Sequence, residues 1–146
     1  DGVYSDLVHV SQNNLSKVTR YYSSLIFNRS LIRFGFMIPH PTLYLRKKVY
    51  NDFGAYKIDY IAAADFEFIT RLVINNVMLK RANLVSIKMR DGGISSSGFI
   101  GRVKQNFEIV RACKENHIYT NIFLVMLKIP YKILMYLFIY LKSFKF

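Results

Sequence analysis

A single cysteine, Cys113, excludes an internal disulfide. It falls in a helical pattern with Phe107 and Val110, which suits a small buried hydrophobe. Acids are scarce: nine Asp and Glu stand against 21 Lys and Arg, a formal net charge of +12. That balance favours a polyanion or an anionic membrane surface as partner. Zinc-finger spacing, an RNP-type signature and a basic helix with heptads are all missing, so no nucleic-acid partner is expected. Long apolar runs are lacking too. The longest, Ile122 to Leu127 and Ile133 to Leu141, fall well short of the ~20 residues that cross a bilayer. There is no internal repeat, no low-complexity linker, and no secretory leader pattern ahead of the first strand-like stretch. The chain begins at Asp1 and reads as strand almost at once, the pattern expected of a sequence entered mid-domain.

What is present can build a core. Hydrophobic residues make up 52% of the 146 and aromatics 16%, enough for one domain. Residues 3–10 read as a strand, and Lys17 to Tyr22 weakly so. A short helix is expected within Leu25 to Phe36. Pro39 and Pro41 force extended backbone on the residues before them. Thr42 to Leu45 reads as a short strand, and Arg46 to Asp52 as helical turns stopped by Gly54. Ala64 to Asn75 is the clearest helix, with Asp65 and Glu67 near its start and Phe68, Ile69, Leu72 and Val73 forming an apolar face. Leu84 to Met89 reads as strand, and Asp91 to Gly98 as a Gly/Ser loop. Phe99 to Asn116 patterns as an amphipathic helix with Phe99, Val103, Phe107, Val110 and Cys113 on its apolar side. Strands and helices without clean alternation indicate part of an α/β sandwich.

The stretch from Ile118 to Phe146 differs. It holds no acid, and its only charges are Lys128, Lys132, Lys142 and Lys145. Pro130 is expected to break it into two short helices. Tyrosines suit the headgroup zone and lysines can snorkel, so the segment reads as an in-plane membrane anchor. The same apolar faces would also serve packing against another part of the protein or a partner subunit.

Three islands in fixed order carry the chemistry. They are Pro39-His40-Pro41-Thr42 with Arg46-Lys47, then Ile61-Ala62-Ala63-Ala64-Asp65-Phe66-Glu67, then Met89-Arg90-Asp91-Gly92-Gly93-Ile94-Ser95-Ser96. Taken alone, Asp65 is an acid beside a helix start, where caps and dipole-satisfying residues usually stand. His40 alone is a histidine between two prolines, with no ligand spacing. Together and in order, the islands resemble the C-terminal half of a bacterial family-2 glycosyltransferase of the GT-A type. The resemblance covers residues 1 to about 115.

That resemblance implies a fold: α/β, the C-terminal part of a GT-A (nucleotide-diphospho-sugar transferase) sandwich followed by amphipathic helices. It divides the chain into an acceptor-side half over 1–97, an amphipathic helix over 98–117 and a basic hydrophobic tail over 118–146. It makes Asp65 the general base, taking the proton of an acceptor hydroxyl as that oxygen attacks the anomeric carbon with inversion. The positive end of the helix dipole favours a carboxylate there. Substrate contacts are expected from His40, Arg90 and Ser95, with Arg90 facing the diphosphate. The Gly/Ser loop would close over the donor, or be an ordinary loop as its composition also allows. Glu67 and Arg71 are expected as structural support, four residues apart on one helix face, or as a solvated ion pair of little worth. Asp6 reads as structural.

Relatives of that type hold Mg²⁺ or Mn²⁺ through an Asp-x-Asp-like motif, and many carry a ligating His where Gly92 stands. Neither occurs here, so no metal ligand is expected from this chain. The implied partners are a nucleotide-diphospho-sugar donor, a saccharide or lipid-linked acceptor and the membrane surface. The implied setting is surface-polysaccharide or lipopolysaccharide assembly at the cytoplasmic face of the bacterial inner membrane, peripherally bound. The chain alone is expected to transfer little or nothing. The competing reading is a non-catalytic basic membrane-binding module.

Overall fold

The computed structural model describes residues 1–91, 98–131 and 133–134. The fold is mixed α/β. One strand, β1 (Gly2–Val10), organises the sheet. β2 (Val18–Tyr22) pairs antiparallel with the second half of β1, and β3 (Tyr44–Leu45) antiparallel with its first two residues. β4 (Leu79–Arg90) runs parallel to β1 from Gly2 to Val10. Gly2 pairs with both Leu45 and Leu79, and Leu7 with both Tyr22 and Ile87, so β1 is central. At Gly2 a Cβ would stand 2.9 Å from the Tyr44 carbonyl oxygen, so only glycine admits β3 this close.

β4 is twice the length expected. Its first half, Leu79 to Asn83, is too charged and polar to read as strand. The parallel neighbour draws it in, and Arg81 finds its partner on β1. Asp6 is buried, and its carboxylate accepts both from Arg81 Nη2 at 2.9 and 3.0 Å and from the Ser24 amide at 2.9 Å. Tyr21 also donates to it. Burial alone would raise the Asp6 carboxyl, but the hydrogen bonds from Ser24, Tyr21 and Arg81 outweigh it and hold it at about 2. Asp6 is thus structural, as its sequence context suggested.

Helices cover the rest. α1 (Lys47–Phe53) ends at Gly54, whose φ of +77° lies in the region glycine favours. α2 (Ala64–Ile74) buries Phe68 and Leu72 against Val49 of α1, with Leu45 and Phe53 packed around them. Its other side meets α3 (Phe99–Glu115) through Phe66, Ile109, Ala112 and Cys113. Ile32, from a 3₁₀ turn over Arg29–Phe34, and Val125, from α4 (Ile122–Met126), close that cluster. Each of the larger side chains, Phe66, Phe68, Leu72, Ile32, Ile109 and Val125, contributes ~1.5–3 kcal/mol by leaving water. Burial also pushes the Cys113 thiol up to about 11, in keeping with a small hydrophobe.

Two details depart from the pattern reading. On α3 the buried face is Ile109, Ala112 and Cys113 with Val110 beside them, while Val103 and Phe107 face outward. The helix is rotated because its polar Gln105 and Glu108 are needed on the inner side. In the tail, α4 ends at Met126, and the next helical residues start at Lys128, so the break falls at Leu127. Pro130 sits in the first turn of the second piece, where a missing N–H costs little. Val125 is fully buried, so the start of the tail is part of the core. Among the described residues no helix is long and apolar enough to cross a membrane.

Candidate functional site

The first two islands meet. His40 opens a 3₁₀ turn, His40–Thr42, fixed by the buried Thr42. Thr42 Oγ1 accepts from the Ser5 amide at 3.1 Å and lies within donating distance of the Ser5 and Pro39 carbonyls, at 2.9 and 2.8 Å. The turn is thereby clamped to the middle of β1. It holds His40 Nδ1 3.4 Å from Asp65 Oδ2. Asp65 Oδ1 accepts from the Phe66 amide at 2.8 Å, which steers the other oxygen toward the imidazole. The Asp65 side chain is 26% exposed and that of His40 45%, so the pair opens to solvent. Tyr22 and Tyr56 border it: burial is the main cause of their raised phenols, and the Asp65 charge adds to both. Neither tyrosine stands out in the sequence, because each belongs to another element.

Asp65 stands two residues after Ala63, the cap residue of α2, which makes no side-chain hydrogen bond there. The cap comes instead from α3. Glu108 Oε1 accepts from the Ile61 amide at 3.0 Å, and Oε2 accepts from Ala62 and Ala63 at 2.8 Å each. Gln105 adds a bond to the Ala62 carbonyl at 3.3 Å. This carboxylate binds three consecutive N–H groups, that of the cap residue Ala63 and those of the two residues before it, and so fixes the entry to α2 from 45 residues away. No sequence pattern flags it.

Glu67 points away from this opening and is completely buried. Arg71 grips it twice, Nε at 3.2 Å and Nη2 at 3.0 Å, and Lys57 Nζ lies 3.1 Å from Oε1. Arg71 also donates to the carbonyls of Phe53 and Ala55. Glu67 is thus no solvated surface carboxylate: with Arg71 it ties down the loop between α1 and α2 from inside. The network runs on from Lys57 to Glu115 at 2.8 Å, to Arg111 at 2.7 Å, and to Asp59. Lys57 first, then Tyr60 and Arg111, hold the Glu115 carboxyl down at about 2.

Of the third island, Met89, Arg90 and Asp91 are described, and these three are not joined to the other two islands. Arg90 is exposed and pairs with Val10 at the end of β4. No hydrogen bond or ion pair among the described residues links it to His40 or Asp65. Asp91 is better fixed: its amide donates to the Val10 carbonyl at 2.9 Å, and its carboxylate accepts from Thr19 at 2.6 Å and lies 3.4 Å from His9 Nδ1. Ser95 and the Gly-Gly sequence lie outside the described residues. Among the described residues no three His, Cys, Asp or Glu side chains converge as a metal would need. An aspartate beside a histidine, held at a helix start and open to solvent, can accept a proton from a hydroxyl placed between them and water.

No family profile matches the chain, and neither does any curated protein or solved structure.

Proposed function

We propose that this chain forms the acceptor side of an inverting, nucleotide-sugar-dependent glycosyltransferase with a GT-A type sandwich. The observation that carries the proposal is the His40–Asp65 pair, because two sequence islands that resemble one family come together as an acid and an imidazole. Asp65 is the general base. It accepts the acceptor hydroxyl proton as the oxygen–carbon bond forms, late in the transfer, since a hydroxyl is a far weaker acid than a carboxylic acid. His40 orients the acceptor or hydrogen-bonds the leaving diphosphate. Glu67, Arg71 and Glu108 hold the base loop still, a condition for near-attack geometry. Arg90 and Ser95 are the residues the resemblance gives to the donor diphosphate. The described residues do not fit Mg²⁺ or Mn²⁺, so no step here runs through a metal.

A saccharide or lipid-linked acceptor fits the basic, aromatic tail, and with it a peripheral place at the cytoplasmic face of a bacterial inner membrane. The test is transfer by the polypeptide that carries both donor and acceptor sides. Asp65→Asn is expected to abolish turnover there and leave donor binding intact. Retained turnover would sink the assignment of the base.

A further inference from the structure

The membrane reading above rests on the tail, but the structure carries a second apolar and basic face elsewhere. The outer side of α3 presents Ile100, Val103 and Phe107, spaced as one helical stripe, with exposures of 76, 37 and 59%. The loop from Lys57 to Ile61 runs antiparallel beside that helix. Its successive anchors descend α3 by about one turn each: Lys57 to Glu115, Asp59 to Arg111, and the Ile61 amide to Glu108. Between these anchors Ile58 is 100% exposed and Ile61 82%. Arg111, four residues on from Phe107 and on the same side of the helix, reaches across to the loop, so stripe and loop form one surface. Large aliphatic side chains left this bare on adjoining elements mark a contact surface.

Charge selects the partner. The acids bordering this surface are all engaged: Glu108 by backbone N–H groups, and the solvent-facing Glu115 and Asp59 by Lys57 and Arg111. The basic side chains Lys104 and Lys114 are exposed on the outer side. An apolar stripe among cations, with its acids paired, matches the boundary between headgroups and acyl chains of an anionic bilayer. We propose that the outer face of α3 and the loop 57–61 lie on an anionic phospholipid surface, Ile58, Ile61 and Phe107 inserting while Lys104 and Lys114 meet lipid phosphates. This deepens the membrane reading and depends on it, but it places the contact beside the Asp65 loop rather than in the tail alone.

The test is flotation of the full chain with vesicles of equal parts phosphatidylcholine and phosphatidylglycerol, against phosphatidylcholine alone. The variant Ile58→Asp/Phe107→Asp changes only exposed side chains, and its circular dichroism and mass in solution are measured beside wild type. Phe123→Asp on α4 is the comparison, an exposed aromatic in the tail. Wild type is expected to float with the anionic vesicles only. The double variant is expected to lose about tenfold or more in partitioning, as two inserting side chains become charged. Binding by the double variant equal to wild type, with loss only in Phe123→Asp, overturns this face and leaves the tail reading standing. No binding by wild type overturns both. A wild-type dimer that the double variant converts to monomer, with vesicle binding unchanged, assigns the face to a second copy and overturns the proposal.

Discussion

Removing the Glu108 carboxylate tests whether α2 is capped from another helix. Three amides donate to it, but they do not weigh equally. Ile61 is exposed, and its N–H regains water once the carboxylate is gone. Ala63 is fully buried and Ala62 partly so, and both donate to Oε2 at 2.8 Å. In Glu108→Ala those two donors lose an anionic acceptor at a helix start whose cap residue, Ala63, has no side-chain acceptor of its own. Hydrogen bonds to a charged group contribute ~1.5–3 kcal/mol each, and two sharing one oxygen add incompletely, so the cost is about 2–4 kcal/mol. Glu108→Gln retains one oxygen for Ala62 and Ala63 but sets its amide against the Ile61 donor and removes the charge. Its cost is about 1 kcal/mol.

Urea unfolding of the chain, followed by circular dichroism, reads both numbers, and the midpoint should move without a change of slope. Amide exchange at Ala62 and Ala63 should accelerate in Glu108→Ala beyond what the global loss explains, because those two sites open first. An unfolding free energy within about 0.5 kcal/mol of wild type for Glu108→Ala, the range of an ordinary surface substitution, would refute the cap. So would equal losses for the Gln and Ala variants, since the argument turns on the surviving oxygen.

Two further outcomes follow from the acids. Glu67→Ala strands Arg71 and Lys57 against the inner loop and should cost about 3 kcal/mol in the same urea assay, as the breaking of a buried pair does; Lys57→Ala should cost far less, because Arg71 still satisfies Glu67, and the reverse order would mean that the outer cation dominates. Stability should also fall in acid: Asp6 and Glu115 are both held near 2, below the ordinary carboxylate range, so their contributions are complete above that range and vanish as pH drops through about 2. For buried Asp6 that contribution is about 2 kcal/mol, and Asp6→Asn should flatten the acid limb of a thermal-midpoint curve, a limb that would stay unchanged were Asp6 unperturbed when folded.

The elements legible in the sequence are those whose signal is local. α2 announced itself by acids at its start and an apolar face at helical spacing, and it spans Ala64–Ile74. α1 was bounded by Gly54, a backbone position with positive φ. The meeting of His40 and Asp65 was implied only by resemblance, since 25 residues and two loops separate them. What was illegible depends on partners distant in sequence. The first half of β4 hid behind Lys80 and Arg81, and Arg81 makes sense only once Asp6 stands beside it. The buried face of α3 misled the pattern reading because apolar spacing favoured Phe107, whereas the fold needed Glu108 inward. Backbone N–H groups carry no residue label, so a carboxylate that serves three of them looks like any surface acid.

α3 is therefore not an appendage to the domain that precedes it. Its inner side supplies the acceptor at the start of α2, and its outer side carries the apolar and basic stripe. Both sides grip the loop 57–61, which leads directly into Ala62, Ala63 and Asp65. A rigid helix about 10 Å across fixes the distance between whatever lies on its outer face and the loop on its flank. If that face rests on lipid, Asp65 is held at a set height above the headgroups, where the hydroxyl of a lipid-linked acceptor would be presented. The arrangement also explains the investment in ion pairs along the loop. Lys57, Asp59, Arg111 and Glu115 are each partly exposed, and such pairs contribute little to global stability. Their effect is positional: they keep the loop in register with α3, so that the placement of Asp65 and the plane of the outer face are set by one element.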